Sequence, residues 1–291
     1  SSSSAASDVY KRQGPTQSGK TLSCSVIPLL YHLFELRETV VFGLPNMDMA
    51  GDKWREDILP VLKATRYADL LPDEGAGSKG AIRTAIRFQN GATLRFMTAG
   101  TGDKGKAGYT TRVVVLTEVD GFDTAGSTSR ETDKVGQIEA RTLADPEHAR
   151  VYGECTVSIE QGRTWQEYTR GTCSAVLCHC QACGEYVLPE REHLTGWEEA
   201  ENEIEAMDNA VLCCPDCGAV WTEDDRRRAV EESLLVHRGQ AVVDGEVVGD
   251  APATRTLGFR WNATHNLFVP IREYAACLLY TSPSPRDRQK S

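Results

Sequence analysis

Gly14-Pro15-Thr16-Gln17-Ser18-Gly19-Lys20-Thr21 fits the pattern G-x-x-x-x-G-K-[ST] at every fixed position, and this stretch decides how the rest of the chain is read. Glycines let successive backbone N–H groups curl around a phosphate, while a helix that starts directly afterwards aims its positive end at the same anion. In that geometry Lys20 reaches the β- and γ-phosphates and the Thr21 hydroxyl holds Mg2+. The spacing therefore predicts a P-loop over residues 14–21 and a bound nucleoside triphosphate.

The segments downstream supply the frame such a loop needs. Leu22, Val26, Leu29, Leu30, Leu33 and Leu36 recur at three- and four-residue steps, which predicts an amphipathic helix with a kink at Pro28. A β-branched run over 39–44 ends at Pro45, and Met47, Ala50, Trp54, Ile58 and Val61 return to helical spacing. Residues 81–88 and 92–98 read as two strands joined at Asn90-Gly91, a dipeptide suited to a tight hairpin turn. A further buried strand is expected over 112–117. This alternation predicts an α/β domain with a mainly parallel sheet covered by helices on both faces. The formal G-x-G-x-x-G at 100–105 runs into a strand rather than opening a helix, so it is read as a connector, not a dinucleotide fingerprint.

Arg112-Val-Val-Val-Leu-Thr117-Glu118-Val-Asp120 has the form of a Walker B strand that delivers acidic side chains to its carboxyl end. In a doubly wound sheet that edge also carries the P-loop, so Lys20 and Glu118 are expected at one crevice. Glu118 is assigned as the carboxylate that orients the attacking water, with Asp120 as a metal-shell or coupling partner. Thr117 stands where an Asp usually contacts the metal's shell.

Composition sets the limits. The chain has 291 residues, 40% of them hydrophobic, enough for one sizeable core and a small second one. A net charge of −10 argues against a nucleic-acid coat protein and restricts any DNA contact to a local patch. No apolar run is long enough to span a membrane and no signal peptide opens the chain, so a soluble cytoplasmic protein is expected. Ten cysteines with paired C-x-x-C spacings then favour metal over disulfides. Cys180-Gln-Ala-Cys183-Gly and Cys214-Pro-Asp-Cys217-Gly predict two knuckles completing a tetrahedral Zn2+ site, with Cys178 and Cys213 as weaker substitutes. The acidic segment 184–213 reads as too polar for a core of its own. Thr222-Glu-Asp-Asp225 predicts a capped helix ending near His237, on which Arg226, Arg227 and Arg228 form a solvated face or a DNA contact. A hairpin is expected over 241–248, turning at Asp244-Gly245.

The expected organisation is an ATPase domain over 14–172, a zinc-ribbon module with its helix over 173–238, and a hairpin and linker over 239–277. Residues 1–13 and 278–291 are similar to translated adapter or vector sequence, and are read as a leader and a tail outside the fold. On that reading the strand that should feed the P-loop is missing or replaced.

Taken in order, the P-loop, the Thr117-Glu-Val-Asp120 Walker B, Arg141-Thr142 after a helix, a strand at Glu154-Cys-Thr-Val-Ser158, two cysteine knuckles and Gly258-Phe-Arg-Trp-Asn-Ala263 resemble the lambda-type large terminase subunit of tailed bacteriophages. The resemblance covers the chain from Gly14 to about residue 276. It implies an ASCE-type P-loop NTPase that uses ATP and Mg2+ to thread double-stranded DNA into a capsid in the bacterial host cytoplasm. It further implies a small terminase subunit and a portal protein as partners, homo-oligomerisation during packaging, and a separate C-terminal nuclease domain. By that likeness Thr156 to Ser158 couples hydrolysis to movement; Arg141 and Arg163 are candidates for an arginine finger only by charge and proximity to motifs, with surface salt partners as the plainer account. Two alternatives remain open from the residues: a helicase-like translocase with a zinc ribbon, and a zinc-dependent interaction module on an inactive core.

Overall fold

The computed structural model describes residues 8–13, 19–78, 84–98, 110–124, 133–156 and 162–281. The chain divides into two compact units, the first built mainly from residues 19–171 and the second from 172–252 and 259 onward.

The first unit is a twisted sheet of β1 (Asp8–Gln13), β2 (Val40–Leu44), β3 (Ala85–Arg87), β4 (Thr93–Thr98), β5 (Val113–Leu116) and β6 (Arg150–Cys155). Their spatial order is β1-β6-β5-β2-β4-β3. Every pair is parallel except β3 with β4, which closes the edge as a hairpin with Gly91 at φ +87° in its turn. All residues of β2 and β5 are buried, as near-continuous apolar strands with helices on both faces must be. Alternation along the strands sorts the core. Val40, Phe42, Val113 and Val115 face one cluster with Leu29, Leu33 and Trp54, while Val41, Val114 and Leu116 face the other with Phe122, Val135 and Ile138.

The helix after the glycine stretch carries π-type turns at Thr21–Val26 and Tyr31–Glu35 on either side of Ile27–Leu30. Pro28, which has no N–H to donate, interrupts the i to i−4 ladder there, and wider turns take up the change. Val26, Leu29, Leu30 and Leu33 form its buried face, but Leu22 and Leu36 at the ends are about half exposed.

Two expectations change in this unit. Residues 8–13 were expected to lie outside the fold, yet they form β1, in parallel register with β6 from Asp8↔Arg150 to Gln13↔Cys155; a backbone ladder asks little of side-chain identity. The strand expected from Glu154 to Ser158 begins earlier, at Arg150, and ends at Cys155. The connector at 99–109 lies outside the described residues.

In the second unit, β7 (Ser174–His179) pairs antiparallel with β8 (Tyr186–Val187). A three-stranded antiparallel sheet combines β9 (Leu194–Thr195), β10 (Val211–Cys213) and β11 (Val220–Trp221). The capping box holds: Asp225 N–H donates to Thr222 Oγ1 at 3.2 Å and Thr222 N–H to Asp225 Oδ2 at 3.1 Å. The helix it starts, Glu223–Glu231, stops well short of His237, because Leu234–Val236 forms β12 against β7 instead. β13 (Ala241–Val243) and β14 (Glu246–Val248) make the expected hairpin, with Asp244 at φ +52° and Gly245 at φ +78°.

The segment 184–213 is not core-less. Leu194, Trp197, Ala206 and Leu212 are buried together with Trp221, Ala229, Ile271 and Ala275. The helix Ile271–Thr281 also continues past 278, where a tail outside the fold was expected. Arg226 has only 2% of its surface exposed. It donates to the carbonyls of Thr264, Asn266 and Val269 at 3.0–3.2 Å and pairs with Glu223, so it is neither a solvated side chain nor available to DNA.

Candidate functional site

The carboxyl ends of β5 and β6 bring together Lys20, Glu118, Asp120 and Glu154. Parallel strands place equivalent ends on one edge, and a helix entering there brings its first turn to the same place. Gly19, at φ +73°, takes a left-handed backbone that favours glycine, and the helical run starts immediately after it. Lys20 is buried by that turn, only 7% exposed, and donates its ammonium to Thr156 Oγ1, one residue beyond β6. Thr21 lies beside it, its Oγ1 3.4 Å from Lys53 Nζ, which also pairs with Asp57 at 3.0 Å. Gly14, Pro15, Thr16, Gln17 and Ser18 lie outside the described residues.

β5 delivers Thr117, Glu118 and Asp120 to the same edge. Thr117 N–H donates to Gly43 O on β2 at 3.2 Å and Val119 N–H to Glu154 O on β6 at 3.2 Å, so the turn is tied to both neighbouring strands. Between these ties Glu118 adopts φ +51°, a conformation an ordinary side chain occupies only when its surroundings hold it there. Its Oε2 lies 3.9 Å from Cys155 Sγ. Lys20 and Glu118 thus reach the ends of the same pair of strands.

Asp120 is placed differently. Its Oδ1 accepts from both the backbone N–H and the hydroxyl of Thr164 at 2.8 and 2.9 Å, anchoring the first turn of the helix Arg163–Arg170. Arg163, in turn, pairs with Asp133 at 2.5 Å and Glu139 at 3.0 Å, which commits it to partners within its own unit.

Two groups were not singled out from the sequence. Lys53 had only its helical register, which does not show which elements its side chain reaches. Glu154 stands in the sequence only as part of an expected strand. The Thr117 hydroxyl donates to Glu154 Oε1, and Glu154 is 1% exposed, with no hydrogen-bond partner for Oε2 among the described residues. Burial raises its carboxyl above the ordinary range, and the nearby Glu118 charge adds to this; the Thr117 bond, Lys20 and Lys53 act in the opposite sense. Removing an ionised carboxylate from water costs several kcal/mol, while one hydrogen bond to a charged group returns about 1.5–3 kcal/mol. The visible signal was an acidic residue between Gly153 and Cys155 near the carboxyl end of a strand.

The second unit holds a separate cluster. Cys180, Cys183, Cys214 and Cys217 present sulfurs all within 4.8 Å of one another, with Cys180–Cys217 at 3.9 Å and Cys183–Cys214 at 4.0 Å. Four zinc–sulfur bonds of about 2.3 Å in tetrahedral geometry require sulfurs about 3.8 Å apart, so the donor set fits that metal. Both knuckles repeat one backbone pattern. Gly184 N–H donates to Cys180 O at 2.8 Å and Gly218 N–H to Cys214 O at 3.0 Å, and both glycines have positive φ. Cys178 is buried outside the cluster, its thiol pushed up to about 12 by burial.

The profile of the family described as "Phage terminase large subunit gpA, ATPase domain" matches residues 3–234, most of the chain. The chain belongs to this family. The match places the ATPase domain of a phage terminase large subunit over residues 3–234. Among curated proteins no match was found. Solved structures similar to the chain include the large terminase from a thermophilic bacteriophage, at 15% identity and a TM-score of 0.38, covering 57% of this chain and 37% of that one. Another is the large terminase ATPase domain of a Thermus phage, P74-26, at 12% identity and a TM-score of 0.44, covering 99% of this chain and 88% of that one. The chain therefore spans little more than a third of the length of the first of these terminases. Among the described residues no helix is long and apolar enough to cross a membrane.

Proposed function

We propose that the chain is the ATP-hydrolysing motor of a viral packaging machine, coupling hydrolysis to the translocation of double-stranded DNA into a capsid. The observation that carries this reading is the approach of Lys20 and Glu118 to one sheet edge in a chain of the terminase ATPase family.

In this reading residues 14–21 are the P-loop that binds the phosphates, and Lys20 leaves Thr156 to bind the β- and γ-phosphates. Thr21 is the hydroxyl ligand for magnesium, which when bound neutralises charge on the transferring phosphoryl group. Glu118 accepts a hydrogen bond from the attacking water and holds it in line with the γ-phosphorus. As that oxygen bonds to phosphorus its proton passes to Glu118, the bond to the bridging oxygen breaks, and ADP carries away the electron pair. Movement of Lys20 off Thr156, together with the Asp120 grip on the helix Arg163–Arg170, carries the state of the site into the following segment. The four cysteines hold a structural Zn2+. DNA is the track, with the small terminase subunit, the portal and further copies of the chain as partners.

ATP turnover with and without DNA tests the reading. The protein is expected to show DNA-stimulated hydrolysis that Lys20→Ala and Glu118→Gln each abolish. Turnover unchanged in both variants rejects it.

A further inference from the structure

Position 117, directly before the catalytic glutamate, carries a hydroxyl where a metal-shell carboxylate is usual, so β5 alone is one acidic group short. The neighbouring strand makes up the deficit. Thr117 is fully buried and its hydroxyl is spent on Glu154 Oε1. The other oxygen of Glu154 is buried and has no hydrogen-bond partner among the described residues, while Lys20, Lys53 and Glu118 all act on the carboxyl electrostatically. A group that served only to fill the core here would be apolar, like Val113 to Leu116 on the adjacent strand.

We propose that Glu154 supplies from β6 the metal-shell carboxylate that β5 lacks. Thr117 fixes one of its oxygens, and the other accepts from a water of the Mg2+ shell. The proposal rests on the ATPase reading above. It makes Glu154 a positioning residue that acts through that water, and makes Thr117 and Glu154 a two-strand substitute for a single aspartate. Asp120 Oδ2 is likewise buried without a hydrogen-bond partner among the described residues, so the choice rests on place: Asp120 is anchored to the helix Arg163–Arg170 through Thr164, whereas Glu154 is held by Thr117 and stands in the field of Lys20 and Lys53.

Equilibrium binding of a fluorescent ATP analogue, measured in EDTA and across a Mg2+ titration, tests this without relying on turnover. Glu154→Gln keeps a carbonyl oxygen to accept from Thr117, so affinity in EDTA is expected to stay within about twofold of the parent. The Mg2+ concentration at half-effect is expected to rise about tenfold, the usual scale for outer-shell groups. Thr117→Val, which removes the hydroxyl holding Glu154, is expected to shift it in the same direction. The double variant Thr117→Asp with Glu154→Gln returns the carboxylate to β5 and is expected to restore the parental Mg2+ dependence. An unshifted Mg2+ midpoint in Glu154→Gln, or an equal loss of affinity in EDTA and in Mg2+, overturns this proposal while leaving the ATPase reading standing. Absence of nucleotide binding by the parent under both conditions overturns the two together.

Discussion

Lys20 and Thr156 lie 136 residues apart in sequence, and the ammonium of the first donates to the hydroxyl of the second. The contact joins the start of the helix after the glycine stretch to the end of β6, and places a buried cation beside Glu154. In the proposed motor it is the resting partner of a lysine whose working partner is a phosphate.

Glu118 is expected to separate binding from chemistry. Glu118→Gln preserves size and hydrogen-bonding capacity but not charge, so ATP affinity is expected to hold within a few-fold. Turnover is expected to fall by about a hundredfold or more, the range for loss of a general base. Single-turnover and binding measurements made together check this; equal losses in both make Glu118 a binding residue instead.

Arg226 is expected to matter to stability rather than to DNA. Arg226→Ala strands the carbonyls of Thr264, Asn266 and Val269 and unpairs Glu223, a loss of about 3 kcal/mol, whereas Arg227→Ala is expected to be close to neutral. Thermal melts of the two variants check the contrast; a neutral Arg226→Ala with weakened DNA binding contradicts it.

The cysteine cluster predicts one zinc per chain by elemental analysis. Binding at such sites contributes about 10 kcal/mol or more to folding. Chelation, or Cys180→Ser, is therefore expected to loosen the core around the buried Trp197 and Trp221 and shift their fluorescence to the red. A metal-free protein with that core intact contradicts the assignment.

His265 sets a pH dependence. Burial lowers its pKa, and as the neutral ring it engages Val176 O at 2.8 Å through Nε2 and accepts from Asn262 N–H at 3.2 Å. The unfolded chain takes up this proton near pH 6.5, before the folded one does, so the stability contribution is complete above that pH and declines as pH falls through and below it. Melting temperature is expected to drop from about pH 7.5 to about 5.5 with a slope that His265→Gln flattens. An equal slope in both proteins removes His265 as its cause.

What the sequence revealed was what short-range pattern encodes. The apolar runs of β2 and β5, the Asn90-Gly91 hairpin, the Thr222 capping box and the knuckle glycines are each set within a few residues, and each appears in the fold. The features that escaped depend on partners distant in the chain. Glu154 acquires its character from Thr117 on the next strand, and Arg226 is buried by carbonyls some 40 residues later. The segment 184–213 looked too polar alone because its Trp197 and Leu212 bury against residues of two later helices. The end of the helix Glu223–Glu231 was misplaced because pairing of Leu234–Val236 with β7 overrode local helical signals.

A crystal structure of the protein with Mg2+ and a non-hydrolysable ATP analogue tests the central claim most directly. It is expected to show Lys20 Nζ about 3 Å from the β- and γ-phosphate oxygens and parted from Thr156, with the Glu118 carboxylate one water away from the γ-phosphorus. An analogue bound elsewhere, with Lys20 still on Thr156 and no room for a γ-phosphate between Lys20 and Glu118, contradicts it.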